Sequence, residues 1–123
     1  MKPLELTETN FAETVKSAPM LLVDFWAAWC GPCRNFAPVF DTAAGLHEDV
    51  TFGKVNTETQ QNLAAAAQIT SIPTLMAFKD GVLVYSQPGA LDSGGLEELI
   101  TSLKNLDMEA VHAEMADAQK SQS

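Results

Sequence analysis

The segment Val23-Asp24-Phe25-Trp26-Ala27-Ala28-Trp29-Cys30-Gly31-Pro32-Cys33 leaves the most apolar stretch of the chain, enters a pattern of helical period, and holds both cysteines. Upstream, Met20 to Phe25 is a nearly continuous apolar run, the composition of a strand covered on both faces and so central in a sheet. Downstream, Phe36, Val39, Phe40, Ala43, Ala44 and His47 recur at helical spacing with Pro38 among them, which predicts a bent helix. A strand, a Cys-X-X-Cys turn and a helix in this order describe an α/β unit with a dithiol at the helix start.

Working outward, a short strand is predicted near Pro3 to Leu6. Asn10 with Glu13 is spaced to cap a helix that runs to about Ser17 and stops before Pro19. Val50 to Val55 reads as a strand. Thr57-Glu58-Thr59-Gln60 has capping-box spacing before a helix through Leu63 and the alanine run to Ala67, ending at Gln68 or Ile69. Thr74 to Phe78 and Val82 to Tyr85 are strand-like runs joined through Asp80-Gly81, a hairpin signal that makes the sheet mixed. Leu96, Leu99, Ile100, Leu103 and Leu106 form the stripe of a last core helix. Residues 1–106 therefore read as one domain and 107–123 as an acidic C-terminal extension. Met108, Val111, Met115 and Ala118 share a helical face, with acids between them, and Gln119 to Ser123 reads as frayed. The extension is either a helix folded back on the domain or a frayed end, and its composition favours the second.

The 123 residues, 46% hydrophobic, suffice for one self-supporting domain. Two cysteines are too few for a disulfide scaffold. Sixteen acids against seven bases give a net charge of −9, which argues against a nucleic-acid partner. Residues 107–123 hold four of those acids and one of the bases. The strictly apolar run Ala18 to Val23 is far below a membrane span, so no membrane role is expected. Glu5 and Glu8 fall where an export signal would be cationic or apolar, which sets the expected location as cytoplasmic.

Three readings compete for Cys30 and Cys33. As a structural staple the pair is weak, since closing so short a loop removes only roughly 2 kcal/mol of unfolded-state entropy. As half of a zinc site it lacks partners, because His47 and His112 are single and far apart, and no metal is expected. As a redox pair every residue type has a use. A free thiol is only about 3% ionised at pH 7, and a helix start lowers the pKa by placing unpaired N–H groups beside the sulfur. Cys30 is then the attacker and Cys33, one turn in, the resolver. Pro32 suits a first helical turn, and Gly31 leaves the sulfur uncovered. Asp24 interrupts an apolar strand. If buried, its pKa should rise and suit a proton acceptor for Cys33; otherwise it is a strand-end acid in water. Lys54, on the next strand, either modulates Asp24 or is an ordinary exposed lysine.

The segment Val23 to Cys33 resembles the active-site segment of the thioredoxin family. The likeness continues through Pro38, Lys54 in Gly53-Lys54-Val55-Asn56, Ile72-Pro73-Thr74, Phe78-Lys79-Asp80-Gly81 and Gly89-Ala90-Leu91, and spans about Leu6 to Leu106. The resemblance implies a mixed five-stranded sheet flanked by four helices. It implies a protein-disulfide reductase, with a redox-active Cys30–Cys33 disulfide and no bound cofactor, recharged by an NADPH-dependent thioredoxin reductase and acting as a monomer on disulfide-containing clients. It further implies that Pro73 is cis, and that Trp29, Gly31, Pro32, Ile72, Pro73, Gly89 and Ala90 form a flat patch for substrate peptides. A cis Ile-Pro bond is a costly, ordered feature, and the adjacent backbone can pair with an extended strand. Pro88 departs from the family's more usual aliphatic residue, which removes one backbone donor at the edge of that patch. A dithiol oxidase or isomerase is the rival within the fold, disfavoured by Gly31-Pro32 between the cysteines. A binding module with idle cysteines is the rival of another class.

Overall fold

The computed structural model describes residues 2–122, with side chains through Asp117. Strands β1 (Leu4–Glu5), β2 (Met20–Trp26), β3 (Thr51–Asn56), β4 (Thr74–Lys79) and β5 (Val82–Pro88) form one sheet in the order β1-β3-β2-β4-β5. The first three are parallel, β4 runs antiparallel to β2, and the edge strand β5 runs antiparallel to β4. The central place expected for the Met20 run is the one β2 occupies.

Helices α1 (Phe11–Ser17), α2 (Gly31–Leu46), α3 (Gln61–Ala66) and α4 (Ser93–Lys104) cover the sheet. Side chains alternate along β2 and so feed two cores. Met20 and Leu22 pack with Phe36 and Phe40 of α2 and with Leu96, Ile100 and Leu103 of α4. Leu21, Val23 and Phe25 pack with Phe11 and Val15 of α1 and Leu63 of α3. This is the thioredoxin-type fold expected above, with one more helix: α5 (Met108–Gln122) makes the extension helical where a frayed end was favoured. Val111 and Met115 of α5 line a groove against Gly81, Val82 and Leu83 of the β4–β5 hairpin. The place of the Ala118 side chain, and Ser123, lie outside the described residues.

Two expected caps are absent. The Asn10 side chain accepts from Thr7 N (2.7 Å) and donates to Glu5 O (3.1 Å), so it ties the β1–α1 turn instead of capping α1. Thr57 does not open α3; its N–H and hydroxyl both donate to Trp26 O, at 2.9 and 3.0 Å, and α3 begins only at Gln61. Asp92 is the cap that the sequence reading passed over, its Oδ1 accepting from Gly95 N at 2.7 Å.

Of the seven glycines, Gly53 has the least room for a side chain. A Cβ there would lie 2.3 Å from Leu6 Cδ1 and 2.7 Å from its Cγ, and Leu6 is fully buried. Gly53→Ala should therefore lower stability by about 1–3 kcal/mol, the usual cost of overpacking. A shift of the urea midpoint to lower concentration at unchanged slope is the expected result.

Candidate active site

Strand β2 delivers the chain to the sheet's end, and α2 starts directly at the cysteines. Cys30 is the N-cap residue: its backbone is extended, and its Sγ accepts from the Cys33 N–H at 3.2 Å. An N–H at a helix start has no partner within the helix, so it is free to meet a sulfur. Pro32 sits in the first turn, where its missing donor costs nothing. A Cβ on Gly31 would meet nothing within 4 Å.

Cys30 and Cys33 are joined as a disulfide with Cα atoms 5.2 Å apart. Both are covered, at 4% and 2% exposure, and pack with Ala27, Trp26 and Ile72. The Ile72–Pro73 bond is cis, and Ile72 O lies 3.8 Å from Cys30 Sγ. Pro73 itself is buried.

Trp29, Cys30, Gly31, Pro32 and Ile72 line one depression of about 420 Å³. Its far wall, which the sequence reading missed, is Thr57, Ala64 and Ile69 to Ser71. Trp29 is 68% exposed, yet its ring is held, since Nε1 donates to the Glu58 carboxylate. Those two residues are 29 apart in sequence, and no local pattern links them. Gly89 and Ala90 are exposed but outside this depression. Gly89, at φ +104°, turns its N–H onto Pro73 O at 2.7 Å, and Pro88 stands opposite Thr74 at the end of β5. The donor after Pro88 is thus consumed within the fold.

Asp24 is 1% exposed, and neither carboxylate oxygen has a hydrogen-bond partner. Burial raises its pKa to about 7, partly opposed by the positive charge of Lys54 and slightly reinforced by Asp41. By the strand's alternation it shares a face with Met20 and Leu22, the face against α2, the helix that carries Cys33. Lys54 is its register partner on β3, with Nζ 5.1 Å from the centre of the Trp26 ring. Among the described residues no group of three His, Cys, Asp or Glu is arranged to hold a metal.

The family profile described as Thioredoxin matches residues 2–102. The chain belongs to the thioredoxin family. A Streptomyces coelicolor chain designated as a thioredoxin 2 is 47% identical over 116 residues, covering 94% of this chain and 87% of that one. A thioredoxin of Alicyclobacillus acidocaldarius is 46% identical over 79 residues, 63% of this chain and 75% of its own. Among solved structures, a mutant thioredoxin from Halobacterium salinarum superposes with a TM-score of 0.79 at 34% identity, covering 86% of this chain and 94% of that one. Oxidised mitochondrial thioredoxin 3 from Saccharomyces cerevisiae superposes at 0.75 with 32% identity, covering 81% and 94%. With its cysteine pair at a helix N-terminus, this thioredoxin-family chain is a thiol–disulfide oxidoreductase that works through the Cys30–Cys33 disulfide. No described helix is long and apolar enough to cross a membrane.

Proposed function

We propose that the chain runs in the reducing direction, as a protein-disulfide reductase recharged by an NADPH-dependent flavoprotein thioredoxin reductase. The observation that carries this reading is Gly31-Pro32 between the cysteines, a dipeptide with no histidine to stabilise the dithiol form further, while the Cys33 N–H directed at Cys30 Sγ from the first turn of α2 readies that sulfur for attack. In the dithiol form that donor and the helix N-terminus favour a thiolate on Cys30. The thiolate attacks a client disulfide, forming the Cys30–client bond and expelling one client thiolate. Cys33 then gives its proton to Asp24 and attacks Cys30 Sγ, releasing the second client thiolate and closing the Cys30–Cys33 bond. Two electrons have passed to the client, and NADPH restores them through the reductase.

Residues of the depression have separate parts. Trp29, Gly31, Pro32 and Ile72 present a low apolar surface beside the sulfur, backed by the buried cis Pro73 and with Gly89 and Ala90 at the margin, and an extended client segment lies across it. Lys54 modulates Asp24. The acidic balance suits neither nucleic acid nor an anionic membrane, and the chain is proposed to act as a cytoplasmic monomer, with residues 107–123 as an appendage to a domain ending near Leu106.

Mixing the oxidised protein with a flavoprotein thioredoxin reductase, NADPH and a disulfide-bonded client tests this. Client-dependent loss of NADPH absorbance is expected. Electron acceptance from glutathione but not from the reductase would reverse the proposed direction.

A further inference from the structure

Glu5, Lys54 and Asp24 stand in one row across β1, β3 and β2: Glu5 is in register with Lys54, and Lys54 with Asp24. Register partners on parallel strands share a face, so the three side chains leave the sheet on the side of α2. A depression of about 270 Å³ opens over the outer part of this row, walled by Glu5, Trp26, Lys54 and Asn56 with Pro3 and Leu4 at its edge. Lys54 reaches into it from the middle strand. Neither acid lies within 4.0 Å of its Nζ, which sits over the Trp26 ring. A compact charge on a flexible four-carbon stem, resting on a ring between two carboxylates, goes where the sum of their pulls sends it. The outer acid is hydrated and pays nothing to attract it; the inner acid can be reached only by bringing the ammonium out of water.

We propose that Glu5 is a positioning residue: it draws the Lys54 ammonium outward over Trp26 and so keeps it from closing an ion pair with the buried carboxylate of Asp24. The other groups facing Asp24 do not replace Lys54. Helix α2 contributes the acidic Asp41, and β4 the apolar Leu75. Glu5 thereby decides how readily Asp24 takes a proton, although it touches neither cysteine. The inference rests on Asp24 as the base for Cys33, and its test separates the two.

The test follows the carboxyl carbon of Asp24 by NMR through a pH titration of the intact oxidised protein. In Glu5→Gln the ammonium is released toward Asp24, and the midpoint should fall by roughly 0.5–1 unit, the size expected when a unit charge moves a few ångström closer at an effective dielectric near 20. The same substitution made on Lys54→Met should move it much less, because the effect travels through the ammonium. The pH profile of mixed-disulfide resolution should move with the titration. An unchanged midpoint in Glu5→Gln overturns the proposal, as does a shift equally large on the Lys54→Met background. A midpoint that moves while the resolution profile does not leaves Glu5 as proposed and removes Asp24 from the proton transfer.

Discussion

Cys30→Ser is expected to abolish disulfide reduction, lowering the rate by at least about three orders of magnitude, because a covalent mechanism loses its nucleophile. The fold should survive. Cys30 caps α2 by accepting the Cys33 N–H, and serine is a favoured residue at a helix N-cap, so its hydroxyl takes over the same bond. Cys33→Ser should behave differently: Cys30 still attacks, and the client stays bound as a mixed disulfide that denaturing, non-reducing mass spectrometry reveals. Were the cysteines idle in a partner-binding module, neither change would alter client handling and no adduct would form. An adduct in Cys30→Ser but not in Cys33→Ser would invert the assigned roles.

Asp24→Asn is expected to stabilise the oxidised protein above neutral pH while slowing its chemistry. The buried carboxyl has a pKa of about 7, against 3.8 for the ordinary side chain. The folded state therefore binds the proton more tightly than the unfolded chain. That preference contributes stability fully present below the unfolded value and lost as pH rises through the folded one. With about three units at 1.36 kcal/mol each, carrying Asp24 into pH 8 costs up to about 4 kcal/mol. The amide has no such titration, so its advantage over the wild type in urea unfolding should shrink by roughly 3 kcal/mol between pH 8 and pH 5. Without its proton acceptor, resolution of the mixed disulfide should slow by about 10²-fold near pH 7, the low end for general-base catalysis. A stability difference that is flat with pH would show that Asp24 is not the group titrating, and unchanged resolution would remove its role in proton transfer.

The chemistry was legible where it is local. Cys30, Gly31, Pro32 and Cys33 are adjacent, and the apolar strand before them places the pair at a helix start without knowledge of anything distant. The five strands were likewise visible, because burial on both faces and the Asp80-Gly81 turn leave marks within a few residues. What the pattern could not supply are partners chosen by tertiary contact. Asn10 and Thr57 have the residue type and spacing of caps, but Glu5 O and Thr7 N claim one, and Trp26 O the other. Lys79 falls in sequence just before the Asp80-Gly81 turn with nothing local to set it apart, yet its Nζ donates to the carbonyls of Leu103, Lys104 and Leu106 at 2.7, 3.0 and 3.2 Å and closes the end of α4. Pro73 reached the site only through the family resemblance, since 40 residues separate it from Cys33 and nothing in local spacing brings them together. The extension read as frayed because its apolar stripe is thin, and the groove against Leu83 that Val111 and Met115 line is invisible to periodicity.

The direction of electron flow is the central claim, and the reduction potential of the Cys30–Cys33 pair tests it most directly. The protein is equilibrated with reduced and oxidised glutathione, quenched with acid, and scored for dithiol and disulfide by alkylation and mass. For this two-electron couple each tenfold change in the equilibrium constant is about 30 mV. A pair clearly more reducing than glutathione, still oxidised when most of the glutathione is in its thiol form, is expected of a reductase. A potential equal to that of glutathione or more oxidising would contradict it and make the chain an oxidase or isomerase on the same fold.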